Sequence, residues 1–156
     1  MSKTGKAAEI VAKDASSLVD ARSLDALYFN RYSALSEVQL AKSKRIPAVF
    51  YRTGSGAEPV RRWLKGLPDE DRRIVGVDIA TVEFGWPVGM PVCSPITGRR
   101  GLWEVRSTIT GGRIARVLFS IHGGQMVLLH GFIKKTQQTP DGDLDLAMKR
   151  KKEIER

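Results

Sequence analysis

Apolar and polar positions alternate most regularly in the carboxy-terminal half of the chain, in runs over residues 102–108, 113–121 and 126–133. A two-residue period sends successive side chains to opposite faces, so each run predicts a strand. In the first run Trp103, Val105 and Ser107 share one face, and Leu102, Glu104 and Arg106 the other. In the second, Ile114, Arg116 and Leu118 oppose Ala115, Val117 and Phe119. Gly111-Gly112 and Gly123-Gly124 separate the runs and supply the positive backbone dihedrals of tight hairpins, which predicts an antiparallel meander.

Upstream, Ile46, Ala48, Val49, Phe50 and Tyr51 read as a first strand, closed by Thr53-Gly54-Ser55-Gly56. Glu58-Pro59 suits a helix start, with Val60, Trp63 and Leu64 on one face and Arg61, Arg62 and Lys65 elsewhere; Gly66 and Pro68 end it. Asp69 is the expected N-cap of a second helix that presents Ile74, Val77, Ile79 and Val82 as apolar contacts. Residues 85–101 hold Pro87, Pro91, Pro95 and several glycines, and are expected to form an exposed connector without regular structure. After Lys134-Lys135, a loop through Pro140-Asp141-Gly142 leads into a basic helix from residue 144 to about residue 154. Residues 1–45 show helical spacing only around Ala34, Leu35, Val38 and Ala41, and read as a helical or flexible extension outside a compact domain of residues 46–156. The fold class is α+β: strand, helix, helix, three strands and a last helix around a small antiparallel sheet.

Composition narrows the function classes. The chain has 156 residues and 42% hydrophobic content, enough for one ordinary core. Lys and Arg outnumber acids 26 to 17, a net charge of +9, which favours a polyanionic partner without separating nucleic acid from an acidic protein or an anionic membrane. Cys93 is the only cysteine, which excludes an intramolecular disulfide and a cysteine-rich zinc site and suits a reducing cytosol. No apolar run approaches the ~20 residues of a membrane helix, so a cytoplasmic protein with no membrane partner is expected.

The strings Leu102-Trp103-Glu104-Val105-Arg106, Arg116-Val117-Leu118-Phe119 and Leu129-His130-Gly131-Phe132-Ile133-Lys134-Lys135-Thr136, with the Gly111-Gly112 hairpin, resemble the RelE/ParE superfamily of type II toxin–antitoxin toxins. They are most similar to its HigB-like, phage-derived branch, and the likeness spans roughly residues 46–155. The resemblance implies a RelE-like fold and a small endoribonuclease, an mRNA interferase that cuts messenger RNA, usually on the translating ribosome. It also implies silencing by a cognate antitoxin, often a helix-turn-helix protein. Family members typically use no metal or other cofactor: a ribose 2′-oxygen attacks the adjacent phosphorus, leaving a 2′,3′-cyclic phosphate and a 5′-hydroxyl.

A phosphorane-like transition state gains negative charge, so fixed cations near the phosphate stabilise it beyond the ground state. Arg106 and Arg116, on neighbouring strands and at motif positions where the family uses basic residues, are the first candidates. Lys134 and Lys135 occupy a position where the family often keeps a basic residue; strand alternation lets one reach the phosphate, and Lys134 is the choice, with Lys135 left to bind RNA. His130 carries two readings, a proton-transfer group and a hydrogen-bonded structural histidine. Glu104 could orient Arg106, act as base or form a salt bridge within the sheet. Arg99, Arg100 and Arg113 are candidate RNA-backbone contacts, as is the run Lys149-Arg150-Lys151-Lys152, although such a run is most often a solvated helix face. Tyr51 and Trp103 could stack on bases, but strand aromatics are usually core. His122 reads as a solvated turn residue. The chain lacks the catalytic tyrosine that some RelE-type enzymes carry near the carboxy terminus. Two further readings stand beside the nuclease: a ParE-like poison of DNA gyrase, and a non-catalytic nucleic-acid-binding module.

Overall fold

The computed structural model describes residues 44–135, 137, 138 and 140–156. The expected extension over residues 1–45, with its helix around Leu35 and Val38, lies outside the described residues except for Lys44 and Arg45. The elements are β1 (Ala48–Phe50), α1 (Pro59–Gly66), α2 (Asp69–Gly85), β2 (Cys93–Pro95), β3 (Trp103–Thr108), β4 (Ile114–His122), β5 (Gln125–Lys134) and α3 (Asp141–Ile154). The expected α+β class is observed. Five strands form one sheet in the order β1-β5-β4-β3-β2.

Two details correct the expected topology. The sheet is mixed rather than wholly antiparallel: β1 pairs parallel with β5, while the β2–β3, β3–β4 and β4–β5 pairs are antiparallel. Hairpins force antiparallel neighbours, but β1 reaches its partner only after two helices and three other strands, so no turn dictates its direction. The connector also contains a strand, β2, in which Cys93, Ser94 and Pro95 pair with Val105, Glu104 and Trp103. Three residues are too few to show a period, and Pro95 is tolerated because β2 is an edge strand.

Each face of the sheet carries a core. On one face, α1 and α2 bury Val60, Leu64, Val75, Ile79 and Val82 against Phe50, Val105, Val117, Phe119 and Leu128. On the other, α3 sets Leu144 and Ala147 against Tyr51, Leu102, Leu118, Val127 and Leu129. Asp69 is the first helical residue of α2 rather than its N-cap; Pro68 takes that position, and Asp69, Glu70 and Asp71 fill the first turn, where their charge complements the helix dipole. At the β4–β5 turn Gly123 and Gly124 have φ of 57° and 75° between the paired His122 and Gln125, as a two-residue primed turn requires. Further along this hairpin, Leu118 pairs with His130 but Phe119 with Leu128, so Leu129 is an extra residue in β5. The bulge turns Leu129 and His130 together toward α3.

Gly131 faces the other core, where the indole of Trp63 on α1 occupies the space a side chain would need. Gly131→Ala is expected to destabilise the fold by about 1–3 kcal/mol through overpacking, read as a lower urea midpoint with an unchanged slope.

Candidate functional site

The register of β3, β4 and β5 builds cross-strand rows on the face toward α3. One row is Arg106, Arg116 and Phe132; the next is Thr108, Ile114 and Lys134. Arg106 and Arg116 therefore stand directly opposite each other, and Lys134 is diagonal to Arg116. Like charges directly opposite in a sheet are destabilising, so sheet stability does not account for this pairing.

The three cations differ in their surroundings. Arg116 is only 8% exposed, and its Nη1 donates to Glu104 Oε2 at 2.7 Å. Glu104 is itself buried, and Ser94 Oγ on β2 donates to its Oε1 at 3.1 Å. Arg106 is half-buried, and among the described residues its guanidinium makes no hydrogen bond or ion pair. Lys134 is also half-buried. Desolvation, then the positive charges of Arg116 and Arg106, hold its ammonium below the usual lysine pKa, while Glu104 opposes the shift. Glu104 holds Arg116 within this group of three cations, while Arg106 and Lys134 stay partly open to solvent. Such a patch can bind a phosphate through Arg106, with Lys134 able to release a proton more readily than an ordinary lysine.

The other sequence candidates are dispersed. His130 Nε2 lies 2.6 Å from Asp143 Oδ1 on α3, and its ring stacks on Phe132 at 5.6 Å. This arrangement matches the structural reading of the histidine, a tether between β5 and α3. Glu104 holds Arg116 rather than Arg106, so of the roles considered for it the salt bridge within the sheet is the one observed. Lys135 is exposed just beyond β5, and Arg100 is exposed in the β2–β3 loop. Arg99 in the same loop pairs with Asp145 at 2.7 Å. Lys149 and Lys152 join Arg99 and Arg156 along a cleft of about 440 Å³ that also contains Asp145 and Glu153, so cations and carboxylates alternate there. Tyr51 is buried and hydrogen-bonded to Glu153, while Trp103 packs edge-on against Trp86 at 4.8 Å. Both aromatics belong to the core, as their strand positions suggested. Among the described residues no three His, Cys, Asp or Glu side chains gather as metal ligands.

Arg113 lies apart from the cluster. Its Nη2 pairs at 2.7 Å with Asp71 Oδ2, a fully buried carboxylate on α2. The Thr110 amide and hydroxyl donate to Asp71 Oδ1 at 3.0 and 2.6 Å, pinning the β3–β4 turn to the helix. The sequence reading missed Asp71, Asp143 and Ser94. Asp71 looked like an ordinary first-turn acid, Asp143 fell just before the expected start of the last helix, and Ser94 sat among breakers; no local pattern marked their distant partners.

A family model described as Phage derived protein Gp49-like (DUF891) matches residues 62–152. The chain belongs to this family. The matched span runs from α1 into α3 and contains Ser94, Glu104, Arg106, Arg116 and Lys134, while β1 precedes it. The Gp49-like family falls within the RelE/HigB-like toxin group. No curated protein matches the chain. Within this Gp49-like fold, no helix of the described residues is long and apolar enough to cross a membrane.

The Thr110 hydroxyl, then its amide, and Arg113 hold the Asp71 carboxyl below the usual carboxylate range. A depressed folded pKa contributes stability that is present above the unfolded value, about 3.9, and is lost as pH falls through the folded value. Asp71→Asn is therefore expected to lower the melting temperature at neutral pH and to flatten its decline on acidification, measured by thermal melts down to about pH 3.

Proposed function

We propose that this Gp49-like protein is the HigB-like toxin of a type II toxin–antitoxin pair and that it cleaves messenger RNA on the ribosome. The observation that carries the reading is the unpaired, half-buried Arg106 guanidinium beside Arg116 and Lys134 on one sheet face. A half-buried structural arginine is ordinarily held by a protein acceptor, as Arg150 is by the Leu129 carbonyl. A guanidinium left without one, next to two further cations, suits a diester phosphate.

In the proposed reaction, Arg106 binds the non-bridging oxygens and stabilises the charge that grows on them as the ribose 2′-oxygen attacks phosphorus. The 2′-hydroxyl proton passes to solvent. Lys134 gives its proton to the departing 5′-oxygen, a role favoured by an ammonium held below the usual lysine pKa. Arg116 adds positive charge from behind. Lys135, exposed just beyond Lys134, extends the cationic surface for flanking RNA, with Arg100 exposed before the far end of β3; sequence-independent phosphate contacts of this kind weaken as salt rises. Glu104 is engaged by Arg116 and Ser94 and has no part in proton transfer here. A cognate antitoxin would silence the protein by covering this face.

Brief induction in cells followed by primer extension is expected to show messenger cuts that disappear in Arg106→Ala at unchanged protein level. Growth arrest without cuts would overturn the nuclease and point to a protein target such as gyrase; RNA binding unaffected by Arg106→Ala, without cleavage, would point to a non-catalytic module.

With purified protein, Arg106→Ala is expected to lower kcat/KM by about 100-fold. Because Lys134 acts as an acid, cleavage should fall as pH rises through its lowered pKa. Removing the Arg106 charge should move that alkaline limb to higher pH, read from pH–rate profiles of Arg106→Ala and the parent.

A further inference from the structure

We infer that Ser94 and Glu104 are positioning residues, a buried hydrogen-bonded relay from the edge strand β2 through β3 that fixes the Arg116 guanidinium beneath the phosphate site. This rests on the ribonuclease reading for its kinetic consequences.

Three strands contribute to the relay. Ser94 on β2 lies opposite Glu104 on β3, and its hydroxyl donates to Glu104 Oε1 at 3.1 Å. The second carboxylate oxygen accepts from Arg116 Nη1 on β4 at 2.7 Å. Glu104 is 5% exposed and Arg116 8%, so neither group is oriented by bulk water. A carboxylate held at both oxygens has no freedom to rotate, and the guanidinium it anchors inherits that order. The geometry also separates two tasks among the arginines. Arg106, without a partner among the described residues, is available to a ligand, whereas Arg116 is a fixed charge behind it.

The relay has an electrostatic effect as well. Lys134 faces Arg106 and Glu104 on β3 and Arg116 on β4; along its own strand His130 lies beyond Phe132, and α3 contributes Asp143, which is engaged by His130. Glu104 is the carboxylate in that set that raises the proton affinity of Lys134 against the two arginines. Without its charge the two arginines would act on Lys134 unopposed by that carboxylate, so Lys134 would lose its proton at lower pH and keep its acid form over a narrower range.

The test uses the full chain carrying Glu104→Gln, which keeps the shape and the hydrogen-bonding capacity of the side chain but removes its charge. The midpoint of Lys134 titration, followed by the NMR signal of its side chain without RNA, is expected to fall. The alkaline limb of the cleavage profile should move down with it. Ser94→Ala should lower kcat about fivefold, the worth of one hydrogen bond, with KM unchanged, and should broaden the Arg116 Nε–H resonance. Ser94→Thr should restore both. If Glu104→Gln does not fold, Ser94→Ala carries the same test. A lower melting temperature with unmoved Lys134 titration, kcat and Arg116 resonance would overturn the proposal and leave a purely structural pair. The NMR readouts need no RNA: wild-type protein that cuts nothing while these signals respond as stated would sink the nuclease reading and uphold the relay.

Discussion

Arg116 sits on β4, the central strand of the sheet, and removing its charge from water costs several kcal/mol before any partner is counted. The Glu104 carboxylate at 2.7 Å offsets that cost, but only because its own lone pairs are also satisfied. Ser94 meets that condition from β2. A three-residue edge strand with little core of its own is thus tied to the middle of the sheet by a polar chain across β3. Replacing a buried ion pair with apolar groups is often neutral or stabilising, so stability alone does not account for this polar chain.

The two faces of the sheet divide the work. Beneath α1 and α2 the packing is apolar and close enough that Trp63 leaves no space for a side chain at residue 131. Polar groups on that side, such as Asp71 with Thr110 and Arg113, fasten loops to helices. The α3 face is apolar under the helix, and from the row of Phe132 onward it carries Arg106 and Arg116, then Lys134 in the next row. The bulge at Leu129 makes both halves possible, since it gives α3 a His130 tether through Asp143 and returns β5 to its alternation before Lys134. α3 is held further along by Arg150, which donates to the Leu129 carbonyl at 2.7 Å. The helix is therefore anchored at the bulge from two of its turns, and the cationic patch lies beside a rigid boundary.

Much of this was legible in the amino-acid order. Alternation assigned Glu104, Arg106 and Arg116 to the faces they occupy, the paired glycines located both turns between the long strands, and Pro59 located the start of α1. Arg106, Arg116 and Lys134, chosen together as cations around one phosphate, lie in adjacent rows of one sheet face. Arg113 shows the limit: by sequence it was one more basic residue near the hairpin, and its carboxylate partner lies 42 positions away. His130 shows another, because its neighbour Asp143 belongs to a helix whose docking angle no local pattern encodes.

The sequence by itself determined the order of elements, the apolar faces and the excess of positive charge, because these follow from spacing and composition within a few residues. Tertiary structure decided the parallel entry of β1, the existence of β2, the bulge at Leu129 and the division of the arginines into one fixed and one available. Each depends on groups far apart in the chain, where hydrogen-bond register and burial, rather than local propensity, set the energy.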